Sequence, residues 1–243
     1  MATLAERTHA KSVRVLASGM SVRGYDFIPS TLAEDDKDFV FRSLFPVALE
    51  AFVQNPSEEM EKDIADHIFT AQHLVVMRSD GTISFGTLKY GDPRPIAFRM
   101  WNVYETEIGK AMYLAGNCVL PQWQGTGIGR EMTRYALNSE KVDWVFTVTQ
   151  NPVAKQSMDS ALNAVSYPLF GDLVGEGMRA NGQVLATALH KEDKYNPSTM
   201  VIRRNYGGSL YGKQPTSSDW RYQSLFNKLN ADEGDAYLCI HRT

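Results

Sequence analysis

Three glycines spaced two apart, Gly125, Gly127 and Gly129, lie between an apolar stretch that ends at Pro121 and a stretch of helical periodicity. A phosphate reaches main-chain N–H groups only where no Cβ intervenes. The first turn of a helix also offers N–H groups without partners inside the helix, together with about half a positive charge. The chemistry this spacing suits is a pyrophosphate cradled by main-chain amides, with the Thr126 hydroxyl as a further donor. Two other phosphate motifs each fail on a residue. The dinucleotide fingerprint G-x-G-x-x-G would need glycine at Arg130 or at Met132, and a P-loop would need G-K-[ST] after its second glycine.

The flanking residues define the elements that must hold such a cradle. Met112, Leu114, Gly116 and Cys118 alternate with Tyr113, Ala115, Asn117 and Val119 as in a strand, which Pro121 stops. After the glycines, Ile128, Met132, Tyr135 and Ala136 recur at helical spacing, so a helix begins near Gly127. Residues 143–149 read as a strand with Trp144, Phe146 and Val148 alternating. Asn151 and Pro152 then supply an N-cap and a first-turn proline for a second helix, with Ala154, Met158, Ala161 and Leu162 as its apolar face.

Gln124 to Gly129 fits [QR]-x-x-G-x-[GA] after a strand ending at Val119 and Pro121, and a strand and an Asn-opened helix follow. In this the chain resembles the GNAT superfamily of acetyl-CoA-dependent N-acetyltransferases, by motif over residues 112–163 and by element order over 13–163. The resemblance implies an α/β fold whose mixed, mostly antiparallel central sheet has a splayed strand pair and flanking helices, here with a C-terminal extension. It implies acetyl-CoA as co-substrate, with no metal, wedged between the splayed strands. The cofactor contacts would come from Cys118, Val119, Gln124, Gly125, Thr126, Gly127, Ile128, Gly129, Arg130, Asn151 and Ser157. The Asn117 N–H would donate to the thioester oxygen. The implied reaction is direct attack by a neutral primary amine of a small molecule in a ternary complex, with proton removal by a base or a water chain.

Departures from the family pattern fall on the proton-transfer groups. The family often carries its acid as a tyrosine seven residues after the helix-opening asparagine, where this chain has Met158, and the usual G-F pair beyond it is missing from Ser160 to Ala164. Tyr167 and Ser157 are the substitute acids. The position the family often gives to a base is Tyr113, whose ordinary pKa of about 10 suits that role poorly at neutral pH, and Glu105 and Glu107 lie upstream. Each also has a plain structural reading, since exposed glutamates are solvated and tyrosines pack with the hydroxyl at a rim. Two other functions stay open: a CoA or acyl-CoA binder without turnover, and a nucleotide-using domain whose glycines hold another phosphate.

Length and charge agree with a cytoplasmic enzyme of ordinary composition. The 243 residues are 43% hydrophobic and carry a net charge of -3, with pI near 6.0, which gives no electrostatic reason to expect nucleic acid. No apolar run is long enough to span a membrane, and Met1 to Ala10 contain no secretory signal. Cys118 and Cys239 lack metal-site spacing, and Cys118 reads as a buried thiol. The histidines show no H-x-x-x-H arrangement, and no nucleophile-elbow serine is present for them to serve.

Residues 1–11 read as a flexible tail and 12–243 as one acyltransferase-like domain, enlarged over 165–235. Val13–Ala17 forms the first strand. Ser30 or Thr31 with Glu34 caps a helix that Pro46 breaks, and a second helix spans Ser57–Thr70. His73–Arg78 and Ile83–Tyr90 flank an Asp80-Gly81 hairpin turn, and residues 91–110 supply an extra strand or a flap. Toward the C-terminus, Gly182–Lys191 and Trp220–Leu229 read as helices, Thr199–Arg203 and Ala236–His241 as strands, and Tyr206–Gly212 as a pocket-lining segment or a surface loop. A homodimer through pairing of the last strand is a further implication of the resemblance.

Overall fold

The computed structural model describes residues 8, 10–17, 19–78, 84–85, 88–89, 95–171 and 174–243. Its strands are β1 (Lys11–Ala17), β2 (Met20–Phe27), β3 (His73–Arg78), β4 (Ser84–Phe85), β5 (Leu88–Lys89), β6 (Pro95–Thr106), β7 (Gly109–Val119), β8 (Trp144–Thr149), β9 (Tyr195–Asn196), β10 (Val201–Ile202) and β11 (Ala236–Arg242). The helices are α1 (Glu34–Phe52), α2 (Glu58–Thr70), α3 (Ile128–Ser139), α4 (Pro152–Leu162), α5 (Glu176–Ala188) and α6 (Trp220–Phe226). The fold is mixed α/β. Hydrogen bonding orders the strands β1-β2-β3-β6-β7-β8-β11-β10-β9, with β4 and β5 pairing apart. Of the registered ladders, β7 on β8 is parallel and the others are antiparallel.

The chain packs as two compact units, Met1–Asn102 with Ala115–Ala136, and Val103–Leu114 with Leu137–Thr243. In the first unit, β2 pairs with both β1 and β3, a strand the sequence reading leaves out because Arg23, Gly24 and Asp26 interrupt its apolar pattern. Val22 and Phe27 are nevertheless buried, and a side chain on Gly24 would run into the Val76 carbonyl of the neighbouring strand. Residues 95–106 form a true strand, with β6 lying between β3 and β7, and not a flap.

Three expectations in this unit are corrected. Residues 29–31 form a 3-10 turn, and α1 starts at Glu34 without a side-chain cap, so neither Ser30 nor Thr31 caps it. Pro46 lies inside α1 without breaking it, because Pro46 and Arg42, whose carbonyl loses a donor, both face solvent while Leu44, Val47 and Ala48 anchor the other side. Within 83–90 the described residues form two short strands that pair with each other, not one continuous strand. The Asp80-Gly81 turn lies outside the described residues. α2 follows its expected course, with the Ser57 hydroxyl accepting from Met60 N and with Ile64 and Ile68 buried.

The second unit is organised around β8, whose six residues are all buried, as a strand covered on both faces must be. Trp144, Phe146 and Val148 join Leu185, Met200, Ile202, Leu238 and Ile240 in one apolar cluster. The apolar face expected on α4 is only partly right. Met158 is buried, but its companions are Lys155 and Asp159, while Ala154, Ala161 and Leu162 are half-exposed. α5 begins before Gly182, which lies inside it against Tyr195, where any side chain would strike the ring hydroxyl. The last strand, β11, pairs with β8 on one side and β10 on the other, and Ile240 also bridges Tyr167. The edge that would serve a dimer through this strand is therefore occupied.

Candidate functional site

β7 delivers Asn117, Cys118 and Val119 to a tight bend, in which a 3-10 turn at Pro121–Trp123 is followed by Gln124 to Gly127 and the start of α3. Leu120 N donates to Ile96 O at 2.9 Å, and the Trp123 side chain is buried, so both walls of the bend are fixed. Gly125 and Gly127 have φ of +75° and +88°, a conformation that explains glycine at both positions. Gly125 has open space where a side chain would lie, and the corresponding space at Gly127 holds only the tip of Arg130, 3.3 Å away. The first i→i−4 bond beyond the bend is Glu131 N to Gly127 O at 3.0 Å, so the amides of residues 127–130 precede the bonded ladder of α3. Arg130 is half-buried and pairs with Glu131 at 3.0 Å.

Several predicted cofactor residues are placed so that only their main chain faces the bend. The side chains of Cys118 and Ile128 are buried, and burial pushes the Cys118 thiol up to about 12. The Thr126 hydroxyl donates inward to Trp123 O at 2.7 Å, whereas the sequence suggested a donor for phosphate. Gln124 is exposed, and its Nε2 donates to Val119 O at 3.0 Å, the carbonyl of the residue expected to pair with a pantetheine. Gly129 packs over Asn117 and Val119.

The other predicted residues belong to the second unit. Asn151 caps α4 by accepting from Val153 N at 2.8 Å and Ala154 N at 3.3 Å, and its Nδ2 donates to Tyr211 Oη at 3.2 Å. Ser157 is half-buried on the same helix, next to Met158, which is 1% exposed. Tyr113 lies 5.2 Å from Phe146, ring to ring. Tyr113 and Tyr167 both pack against the apolar cluster of β8, together with Tyr104 and Tyr206. Tyr167 is held by main-chain bonds to Ile240 in both directions, and Glu105 and Glu107 are exposed. The β7–β8 ladder has three pairs, from Ala111↔Trp144 to Tyr113↔Phe146. At its end the Thr147 hydroxyl donates to Leu114 O at 2.9 Å.

Sequence reasoning missed Gln150, Lys155 with Asp159, and Arg99. Gln150 is buried, accepts from Leu210 N at 2.8 Å, and donates to Asp235 O at 3.0 Å, Ala231 O at 3.2 Å and Gly208 O at 3.4 Å. It thereby fixes the glycine-tyrosine loop beside the end of β8. The signal for Lys155 and Asp159 was their i, i+4 spacing on a helix, and the signal for Arg99 was a cation inside the apolar run Ile96–Trp101. Among the described residues no group of three or more His, Cys, Asp or Glu is arranged to hold a metal, and no helix is long and apolar enough to cross a membrane.

No protein-family model matches the chain, and no curated protein matches it in sequence. Among solved structures it is similar to Chaetomium thermophilum Naa20 in complex with a bisubstrate analogue, at 12% identity and a TM-score of 0.42, over 90% of this chain and 86% of that one. It is also similar to mosquito arylalkylamine N-acetyltransferase like 5b, at 8% identity and a TM-score of 0.42, over 96% and 100%. A third similarity is to the loading GNATL domain of CurA from Lyngbya majuscula, at 15% identity and a TM-score of 0.32, over 45% of this chain and 59% of that domain's chain.

Proposed function

We propose that the chain is an acyl-CoA N-acyltransferase of the GNAT type, moving an acetyl group from acetyl-CoA to a primary amine of a small molecule. The observation that carries this reading is the open bend at Gly125–Gly129. Two positive-φ glycines and the leading amides of α3 present main-chain donors at the end of a strand, with no side chain of the described residues filling the space above Gly125. Such a bend suits a diphosphate, because the helix terminus is electropositive and the donors are already ordered. Val119 then lies where a pantetheine arm pairs as an added strand, displacing the Gln124 amide from its carbonyl. The Asn117 N–H lies two residues earlier on β7, toward the thioester end, where a fixed donor stabilises charge developing on the carbonyl oxygen.

Acetyl-CoA would supply the activated acyl group and a thiolate leaving group. What the chain adds is orientation and a polar environment, worth several orders of magnitude in rate when the donor is preorganised. The amine must arrive neutral, and Tyr113 and Glu105 are the groups proposed to take its proton, directly or through water. Tyr167 and Ser157 are the proposed acids for the departing thiolate.

A binder without turnover is the second reading, favoured by the burial of Met158 at the position the resembled family often gives to its acid. Equilibrium binding of acetyl-CoA, followed by thiol release with a panel of primary amines, separates the two. The acyltransferase predicts saturable binding, not displaced by equal NAD or ATP, and thiol release above solvent hydrolysis with at least one amine. Binding without release across the panel leaves the binder, and absence of binding removes both.

A further inference from the structure

One face of the first unit carries polar atoms that no described residue satisfies. A side chain on Gly116 would strike Met100 Cε, so Gly116 and Met100 share one face of β7 and β6. Successive residues alternate between faces, and Asn117 and Arg99 therefore share the other. Trp101 follows Arg99 on that same face, stacked on His73 at 5.0 Å and met edge-on by Tyr135 of α3. Here Arg99 Nε, Trp101 Nε1 and Asn117 Oδ1 are sealed from solvent without a hydrogen-bond partner among the described residues.

Arg99 is the most demanding of the three. It is 5% exposed, and burial draws its pKa down to about 9, with no carboxylate among the described residues acting in the opposite direction. Asp26 lies on the same face, one strand beyond Val75, but its Oδ2 accepts from Tyr135 Oη at 2.7 Å. A buried guanidinium without a counter-charge is strongly unfavourable, and proteins retain one where something else supplies the anion.

We propose that Arg99, with the Trp101 indole N–H on the same face, receives a carboxylate carried by the acyl acceptor, and that the acceptor belongs to the amino-acid class. This rests on the acyltransfer reading. One uncompensated positive charge matches one carboxylate, and a guanidinium edge offers two parallel N–H groups to its two oxygens. The unmet acceptor, Asn117 Oδ1, suits an amine N–H on the same molecule. The anionic end of acetyl-CoA belongs at the glycine bend, and its pantetheine is neutral, so an anion bound beside Asn117 comes from the acceptor.

The test titrates the full-length protein, with and without CoA, using common L-amino acids, each against its decarboxylated amine. At least one amino acid is expected to bind ten-fold or more tightly than its decarboxylated partner. Arg99→Lys and Arg99→Met should each lower that affinity at least ten-fold and change acetyl-CoA affinity less than two-fold. Because no described residue pairs the cation in the free protein, Arg99→Met should also raise the melting temperature without ligand, an outcome opposite to the loss of a structural ion pair. Equal binding within every pair, binding of acetyl-CoA but of no amino acid, or a lowered melting temperature for Arg99→Met overturns the proposal. Failure of acetyl-CoA to bind sinks the acyltransfer reading, whereas Arg99-dependent amino-acid binding in the same protein keeps the carboxylate site.

Discussion

A side chain on Gly129 would place its Cβ 2.9 Å from Asn117 Nδ2, so the first turn of α3 lies close against β7 and the Asn117 amide must shift to admit one. In Gly129→Ala, better helix propensity contributes at most about 1 kcal/mol, while overpacking costs about 1–3 kcal/mol. The substitution should therefore destabilise the protein. In an Asn117→Ala background it should become neutral or stabilising, since the obstructing amide is gone. Denaturant midpoints of the four proteins complete the cycle, and additive effects would mean that the two residues do not press on each other.

Gly127→Asp should raise the Michaelis constant for acetyl-CoA about ten-fold or more, with a smaller change in kcat. A carboxylate at the head of α3 repels a diphosphate, and the φ of +88° is strained for any side chain. Thermal melting of the ligand-free variant separates loss of the site from loss of the fold. An unchanged constant in a folded variant would remove the bend from the binding site.

Lys155 and Asp159 form a saturated buried pair. The ammonium donates to Asp159 Oδ2 at 2.9 Å, Ser166 O at 2.7 Å and Ser166 Oγ at 2.9 Å, and Tyr222 Oη donates to the same carboxylate at 3.0 Å. Lys155→Met leaves Asp159 buried and uncompensated, and should cost about 3–5 kcal/mol by urea denaturation. Lys155→Met with Asp159→Leu should cost less than that single substitution.

Stability should decline as pH rises above about 9. Burial pushes the Cys118 and Cys239 thiols and the Tyr237 hydroxyl up to about 12, and it also raises Tyr135, Tyr195 and Tyr222. Each keeps its proton in the folded chain at a pH where the unfolded chain has lost it, so unfolding releases protons and alkali favours it. Arg99, lowered to about 9, acts in the opposite direction, but it is one group against six. Denaturation free energies at pH 8, 9 and 10 check the sign, and a flat profile would contradict these burials.

The glycine bend was legible because glycine, proline and asparagine act locally. Gly127, Pro121 and Asn151 each fix a backbone feature whatever surrounds them, and the bend, the strand stop and the cap all form where the residues indicate. Features that depend on distant packing were not legible. Nothing near Pro46 in sequence says that it faces solvent, and nothing near Arg23 says that β2 is held between β1 and β3. The apolar face of α4 was misread for the same reason: Lys155 is satisfied by Ser166, and Asp159 by Tyr222 from another helix.

Gln150 grasps the segment around Tyr206–Gly212 only through peptide groups, at Gly208, Leu210, Ala231 and Asp235. Such a clamp is indifferent to which side chains the segment carries. The segment near the head of α4 can therefore be re-lettered freely over evolutionary time while its course is preserved, so its surface chemistry can change without rebuilding the scaffold.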